Sequence, residues 1–149
     1  MLKKPGENGW VYPFALRILA RRSLRQHSPG AVPPAALHAM LLAILAPQRC
    51  ISAAVRLHVI VNRAGISPGL YRAAVSQARS QAHLLLVKAG SFAATTQEAA
   101  LGQDVIGNAA VVLIFSLSCA CISAAGPAAA REYRNGYIEA GARSCRTCA

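Results

Sequence analysis

Leu57-His58-Val59-Ile60-Val61, followed three residues later by Gly65-Ile66-Ser67-Pro68-Gly69-Leu70-Tyr71-Arg72, is the stretch on which the fold turns. Its β-branched run predicts a buried strand, and the glycine and proline cluster is turn chemistry that leads into Leu70-Tyr71-Arg72. Downstream, Leu84 to Val87 predicts a second short strand ending at Gly90. Ala110 to Phe115 is uniformly apolar and reads as a central strand buried on both faces. Upstream, Pro33-Pro34 is pre-organised to open a helix, and Leu37, Met40, Leu41, Ile44 and Leu45 recur at helical spacing before Pro47 stops it. That segment is a core helix, with Met40 as filler.

The remaining pieces surround this strand cluster with helices. Pro13 to Arg25 predicts a first helix with Phe14, Leu16, Ile18 and Leu19 available for burial. Thr95 and Glu98 stand at capping-box spacing and predict a short helix through Ala99, Ala100 and Leu101. The small-residue stretch up to Ala130 reads as a loop, and Arg131 to Ala142 as a final helix. No internal repeat is visible, and the fold class expected is α+β.

At 149 residues the chain suits one domain with a single core. Apolar residues make up 54%, which argues against disorder throughout. The net charge of +11 comes almost entirely from arginine, since the only lysines are Lys3, Lys4 and Lys88. Such a field favours anionic partners. Only 5% of residues are aromatic and none alternates with the densest basic cluster, so the stacking platform of a single-strand nucleic-acid binder is absent. Nucleic acid is therefore not an expected partner. Ala109 to Ala125 is uncharged, but it falls short of the about 20 residues a spanning helix needs, and Ser116, Ser118 and Ser123 interrupt it. The competing reading is a small basic protein bound to an anionic membrane, with that stretch inserted.

The densest basic cluster is Arg21-Arg22-Ser23-Leu24-Arg25, at the end of the first helix and before the helix-breaking Pro29-Gly30. Arginine forks match phosphate geometry and the serine hydroxyl adds a neutral donor, so the cluster suits a phosphate monoester. The plainer reading is a solvated helix end with favourable dipole placement. The five cysteines are Cys50, Cys119, Cys121, Cys145 and Cys148. An odd number, without an apolar run after the basic Met1 to Pro5, points to a reducing compartment, so a cytoplasmic location is expected. Cys145-Arg-Thr-Cys148 with Cys119-Ala-Cys121 could be drawn as a metal site. Thiols in an apolar run are ordinary core residues, however, and no histidine stands near, so no metal is expected. His38 and His58 lie in apolar elements and are expected to be satisfied locally. Glu7, Glu98, Asp104, Glu132 and Glu139 stand at no telling spacing from a histidine or nucleophile.

Taken in order, these segments resemble the nitroreductase-like flavoproteins, most closely their SagB-type dehydrogenase branch. In that family R-x-S-x-R/K ends the first helix, as Arg21 to Arg25 does here, and a core helix follows, here Pro34 to Ala46. The branch's G-L-P-P-G-L-Y-R turn is matched by Gly65 to Arg72, and its A-L-G-Q element by Ala100-Leu101-Gly102-Gln103. The alanine-led strand is matched by Ala109 to Phe115. R-x-Y-R and L-E-A-G are matched by Arg131-Glu132-Tyr133-Arg134 and Ile138-Glu139-Ala140-Gly141.

The resemblance implies a mixed sheet flanked by helices and FMN at the interface of a homodimer. It also implies azoline-to-azole oxidation of a peptide, or NAD(P)H-dependent reduction of a small molecule. Arg21, Ser23 and Arg25 would hold FMN. Tyr133 and Arg134 would stand near the substrate, although Tyr133 packing at a helix start is the alternative. Relatives carry P-S-A-G-A-L-Y-P near the flavin where this chain has Cys50-Ile51-Ser52-Ala53-Ala54, so by the resemblance Ser52 would be at most a remnant cofactor contact. After Gly141 the family continues with H-x-x-Q-N and further elements, whereas this chain reads Ala142 to Ala149. The expectation is a frameshifted or truncated product with the C-terminal part of the fold missing. It comprises an arm over 1–12, an incomplete FMN-binding domain over 13–142 and an atypical tail over 143–149.

Overall fold

A computed structural model of the chain describes residues 27–45, 50–76 and 81–145. Helix α1 (Pro34–Leu45) is followed by strands β1 (Val55–Val61), β2 (Gly69–Val75) and β3 (Ala82–Ala89), then by short helices α2 (Ala93–Ala99) and α3 (Asp104–Gly107). Strand β4 (Val111–Leu117), helix α4 (Cys119–Ala124), a 3-10 turn (Gly126–Ala128) and helix α5 (Ala129–Cys145) complete the order. The sheet order is β3-β2-β1-β4, and its pairings among the described residues are all antiparallel. The α+β class is the one expected. The mixed sheet implied by the resemblance is represented here by these antiparallel pairs alone.

Strand β1 sits between two partners, with Val59 opposite Tyr71 of β2 and Leu113 of β4. Its alternation sends Leu57, Val59 and Val61 to one face, where Leu37, Leu41, Ile44 and Leu45 of α1 cover them. The helical positions i, i+4, i+7 and i+8 make that stripe, so each of these side chains contributes about 1.5–3 kcal/mol by leaving water. The link from β1 to β2 passes under α1. Gly65 there has φ +68°, and a Cβ on it would stand 2.9 Å from Pro34 Cγ, so both the conformation and the close approach require glycine. The Tyr71 hydroxyl donates to the Ser67 carbonyl at 2.7 Å and fixes the turn.

Four expectations need correction. Helix α2 starts at Ala93, and Phe92 rather than Thr95 precedes it; the Thr96 hydroxyl bonds back to the Phe92 carbonyl instead of a capping box forming. Strand β4 pairs only with β1 among the described residues and is half-buried, with Ile114 39% exposed, so it is not buried on both faces. An apolar run marks a strand, but its position in the sheet depends on partners the run does not encode. The segment read as a loop forms α4, because Ser118 Oγ accepts the Cys121 N–H and the alanines that follow are good helix formers. Finally, α5 runs from Ala129 through Ala142 to Cys145, which places Arg143, Ser144 and Cys145 in the helix.

No helix among the described residues is long and apolar enough to cross a membrane, and Ala109 to Ala125 contains β4 and α4. The expected first helix over Pro13 to Arg25 lies outside the described residues.

Candidate functional site

One face of α5 organises the site. Glu132, Gly136, Glu139 and Arg143 recur at i, i+4, i+7 and i+11 and so lie on a single stripe. Gly136 brings the helix in close, since a Cβ there would meet Leu117 Cδ2 at 2.6 Å. Glu139, 2% exposed, accepts the Ile51 N–H on Oε2 at 2.9 Å and Arg143 Nε on Oε1 at 2.7 Å. Arg143 also reaches Cys50 Sγ at 3.6 Å, while the Cys50 thiol donates to the Ser52 carbonyl at 3.0 Å. The Ser52 hydroxyl donates to Glu132 Oε1 at 2.5 Å and accepts the Ala54 N–H at 3.1 Å. Two carboxylates of one helix thus grip the segment that leads into β1, one through its backbone and one through a serine. A buried carboxylate costs several kcal/mol unless compensated, and the Arg143 guanidinium with the Ile51 amide supplies that compensation.

On the other flank, the Arg56 guanidinium donates to the carbonyls of Ala53 (2.5 Å) and Val55 (3.3 Å) and to Cys121 Sγ at 3.4 Å. The hydrogen bond with Ser118 and the nearby Arg56 cation hold the Cys121 thiol below its ordinary range, against burial and the Glu132 carboxylate, which push it up. Cys121 is half-buried and Cys119 exposed, so these thiols are not the core residues their apolar run suggested.

The structure unites Ser52 with the stripe but not with the other residues singled out on α5. Tyr133 is 47% exposed, and Arg134 is exposed two residues beyond Glu132, about 200° round the helix from it. The Tyr133 hydroxyl pairs with that of Tyr137 at 3.0 Å, and the rings meet edge to face at 5.0 Å. Tyr137 thereby raises the ionisation of Tyr133 above the usual phenol range. Arg21, Ser23 and Arg25 lie outside the described residues.

The histidines in apolar elements are satisfied locally: His38 Nε2 accepts the Ala82 N–H at 3.3 Å, and His58 Nδ1 stands 3.3 Å from Ser116 Oγ. His38 also borders an open cavity of about 380 Å³ between α1 and the β2–β3 hairpin, lined by Leu37, Leu41, Ile66, Tyr71 and Leu84 among others. No group of three or more His, Cys, Asp or Glu among the described residues is placed to hold a metal ion.

Glu132, Glu139, Arg143 and the Arg56–Cys121 pair escaped the sequence reading. The seven-residue interval between the two glutamates, with arginine four further on, is the signal that could have found the first three.

The fold is nitroreductase-like. A crystal structure described as a candidate nitroreductase from Anabaena variabilis matches with a TM-score of 0.70 at 19% sequence identity, a likeness of fold. The match covers 93% of this chain and 30% of that one, so this chain spans under a third of the length of its structural neighbour. No protein-family model and no curated protein sequence matches the chain.

Proposed function

We propose that the chain is an FMN-dependent oxidoreductase of the nitroreductase type, of the SagB-type dehydrogenase branch. The observation that carries this reading is the fold likeness to a candidate nitroreductase over 93% of the chain. Because the chain spans 30% of that neighbour, the activity of a whole nitroreductase belongs to the proposal. So do a homodimeric state, a cytoplasmic location and a peptide or small-molecule substrate.

The residues present fit FMN in two respects. Arg21, Ser23 and Arg25 form the donor set a phosphate monoester takes, two guanidinium forks and a hydroxyl. The gripped segment turns an exposed apolar side chain, Ile51, and an exposed alanine, Ala53, away from the core. The Ala53 N–H has no acceptor among the described residues. An apolar surface beside a free backbone donor suits the rim of a planar heterocycle. When bound, FMN supplies the hydride and electron chemistry, and the protein supplies position and electrostatics. Tyr133 and Arg134 offer an exposed hydroxyl and cation to a substrate from α5.

The test is a reconstitution. The full chain, titrated with FMN, is expected to quench flavin fluorescence saturably, and the Arg21→Ala, Arg25→Ala double variant to lose that quenching. Equal binding by the double variant would contradict the phosphate assignment, and no binding by the wild-type chain would contradict the reading itself.

A further inference from the structure

We propose that Glu132 and Glu139 are positioning residues that hold the Cys50–Ala54 segment in the conformation in which it meets the cofactor, an inference that rests on the FMN reading above. The geometry is one-sided. Among the described residues, each carboxylate contact to the segment comes from α5: Glu139 takes the Ile51 amide at 2.9 Å, and Glu132 takes the Ser52 hydroxyl at 2.5 Å. Ser52 in turn accepts the Ala54 N–H at 3.1 Å, so its hydroxyl is engaged as both donor and acceptor. Ser52 is 3% exposed, whereas the Ile51 side chain is 51% exposed and Ala53 is exposed. What the segment offers outward is therefore Ile51 and the Ala53 amide, and the Ser52 hydroxyl serves as the handle by which α5 holds it.

The anchor is built for rigidity. A carboxylate 2% exposed cannot swing to water without abandoning Arg143, whose Nε it accepts at 2.7 Å. Gly136, between the two glutamates on the stripe, lets α5 approach Leu117 of β4 closely. On the far side Arg56 holds the Ala53 carbonyl at 2.5 Å, which leaves that residue's N–H as its free backbone group among the described residues. A donor held this way is pre-organised for a ligand acceptor, because its orientation is settled before binding.

Three full-length variants read this out with FMN as the probe: Glu132→Ala, Glu132→Gln and Glu139→Gln. Amide exchange over Cys50–Ala54 is measured without flavin, and the Kd for FMN by fluorescence. Glu132→Ala should speed exchange in this segment, leave β1 and β2 unchanged, and weaken FMN binding by roughly tenfold, the equivalent of one hydrogen bond of orientation. Glu132→Gln keeps an acceptor for Ser52 Oγ and should restore most of the affinity. Glu139→Gln should speed exchange at Ile51 and weaken binding similarly; if it fails to fold, the two Glu132 variants decide. Faster exchange with an unchanged Kd, or unchanged exchange in Glu132→Ala, would overturn this inference alone. Absence of FMN binding by the wild-type chain would overturn the reading beneath it, and this inference with it.

Discussion

Glu139 is a buried carboxylate on α5. It is 2% exposed and joins a helix, a backbone amide and a guanidinium. Glu139→Ala would leave Arg143 buried without its counter-charge and is expected to lower stability by about 3–5 kcal/mol. Adding Arg143→Met should return most of that loss; urea denaturation of the single and double variants measures both. Cys121 makes a second residue-level prediction. Its thiol is held below the ordinary range by Ser118 and Arg56, and the thiolate is the reactive form. Alkylation of Cys121 should therefore reach half its maximal rate at lower pH than alkylation of a cysteine in a short unstructured peptide, and Arg56→Gln should move that midpoint upward. Site-resolved mass spectrometry at a series of pH values checks it. The sequence shows only the spacing of the first arrangement along its helix, and nothing local joins Arg56 to Cys121, 65 residues away. The partners of Glu132 and Glu139 are a serine and an amide 80 and 88 residues away, which no local spacing encodes.

Elements were read more successfully where side-chain periodicity fixes them. Strand β1, the turn after it and α1 were legible because apolar alternation, glycine-proline chemistry and an i, i+4, i+7 stripe each have one physical reading. The turn can be tested directly. Gly65→Ala must adopt φ +68° and press within 2.9 Å of Pro34, so a cost of about 1–2 kcal/mol is expected, seen as a lower urea midpoint with unchanged slope. Where periodicity is silent, the reading missed. The Ser118 to Ala130 stretch is made of small residues apart from Ile122 and Pro127, and the Ser118 cap is what reveals that α4 forms there. The extent of α5 was likewise hidden: its last residues are polar, yet Arg143 is 8% exposed because Glu139 neutralises it. Gly136→Ala would set a methyl 2.6 Å from Leu117 Cδ2, so Leu117 must change rotamer; with about 1 kcal/mol of helix propensity gained in return, a net loss of at most about 2 kcal/mol is expected by thermal unfolding.

Across the whole molecule, a basic chain of net charge +11 places its described residues in a nitroreductase-like fold that matches under a third of its structural neighbour. The apolar surface is unevenly distributed. Leu85, Leu86 and Val87 on β3 and Tyr133, Tyr137 and Ile138 on α5 are each between 47% and 61% exposed. Surface of this kind on an edge strand and a helix face favours association. Under the proposed function, the cationic N-terminal cluster and the carboxylate-anchored segment would serve one phosphorylated flavin. Fluorescence titration of the purified full-length chain with FMN, run beside riboflavin, tests it most directly. Saturable quenching by FMN is expected, with markedly weaker binding of riboflavin, which lacks the phosphate that Arg21, Ser23 and Arg25 would take. No quenching by FMN, or equal affinity for the two flavins, would contradict it.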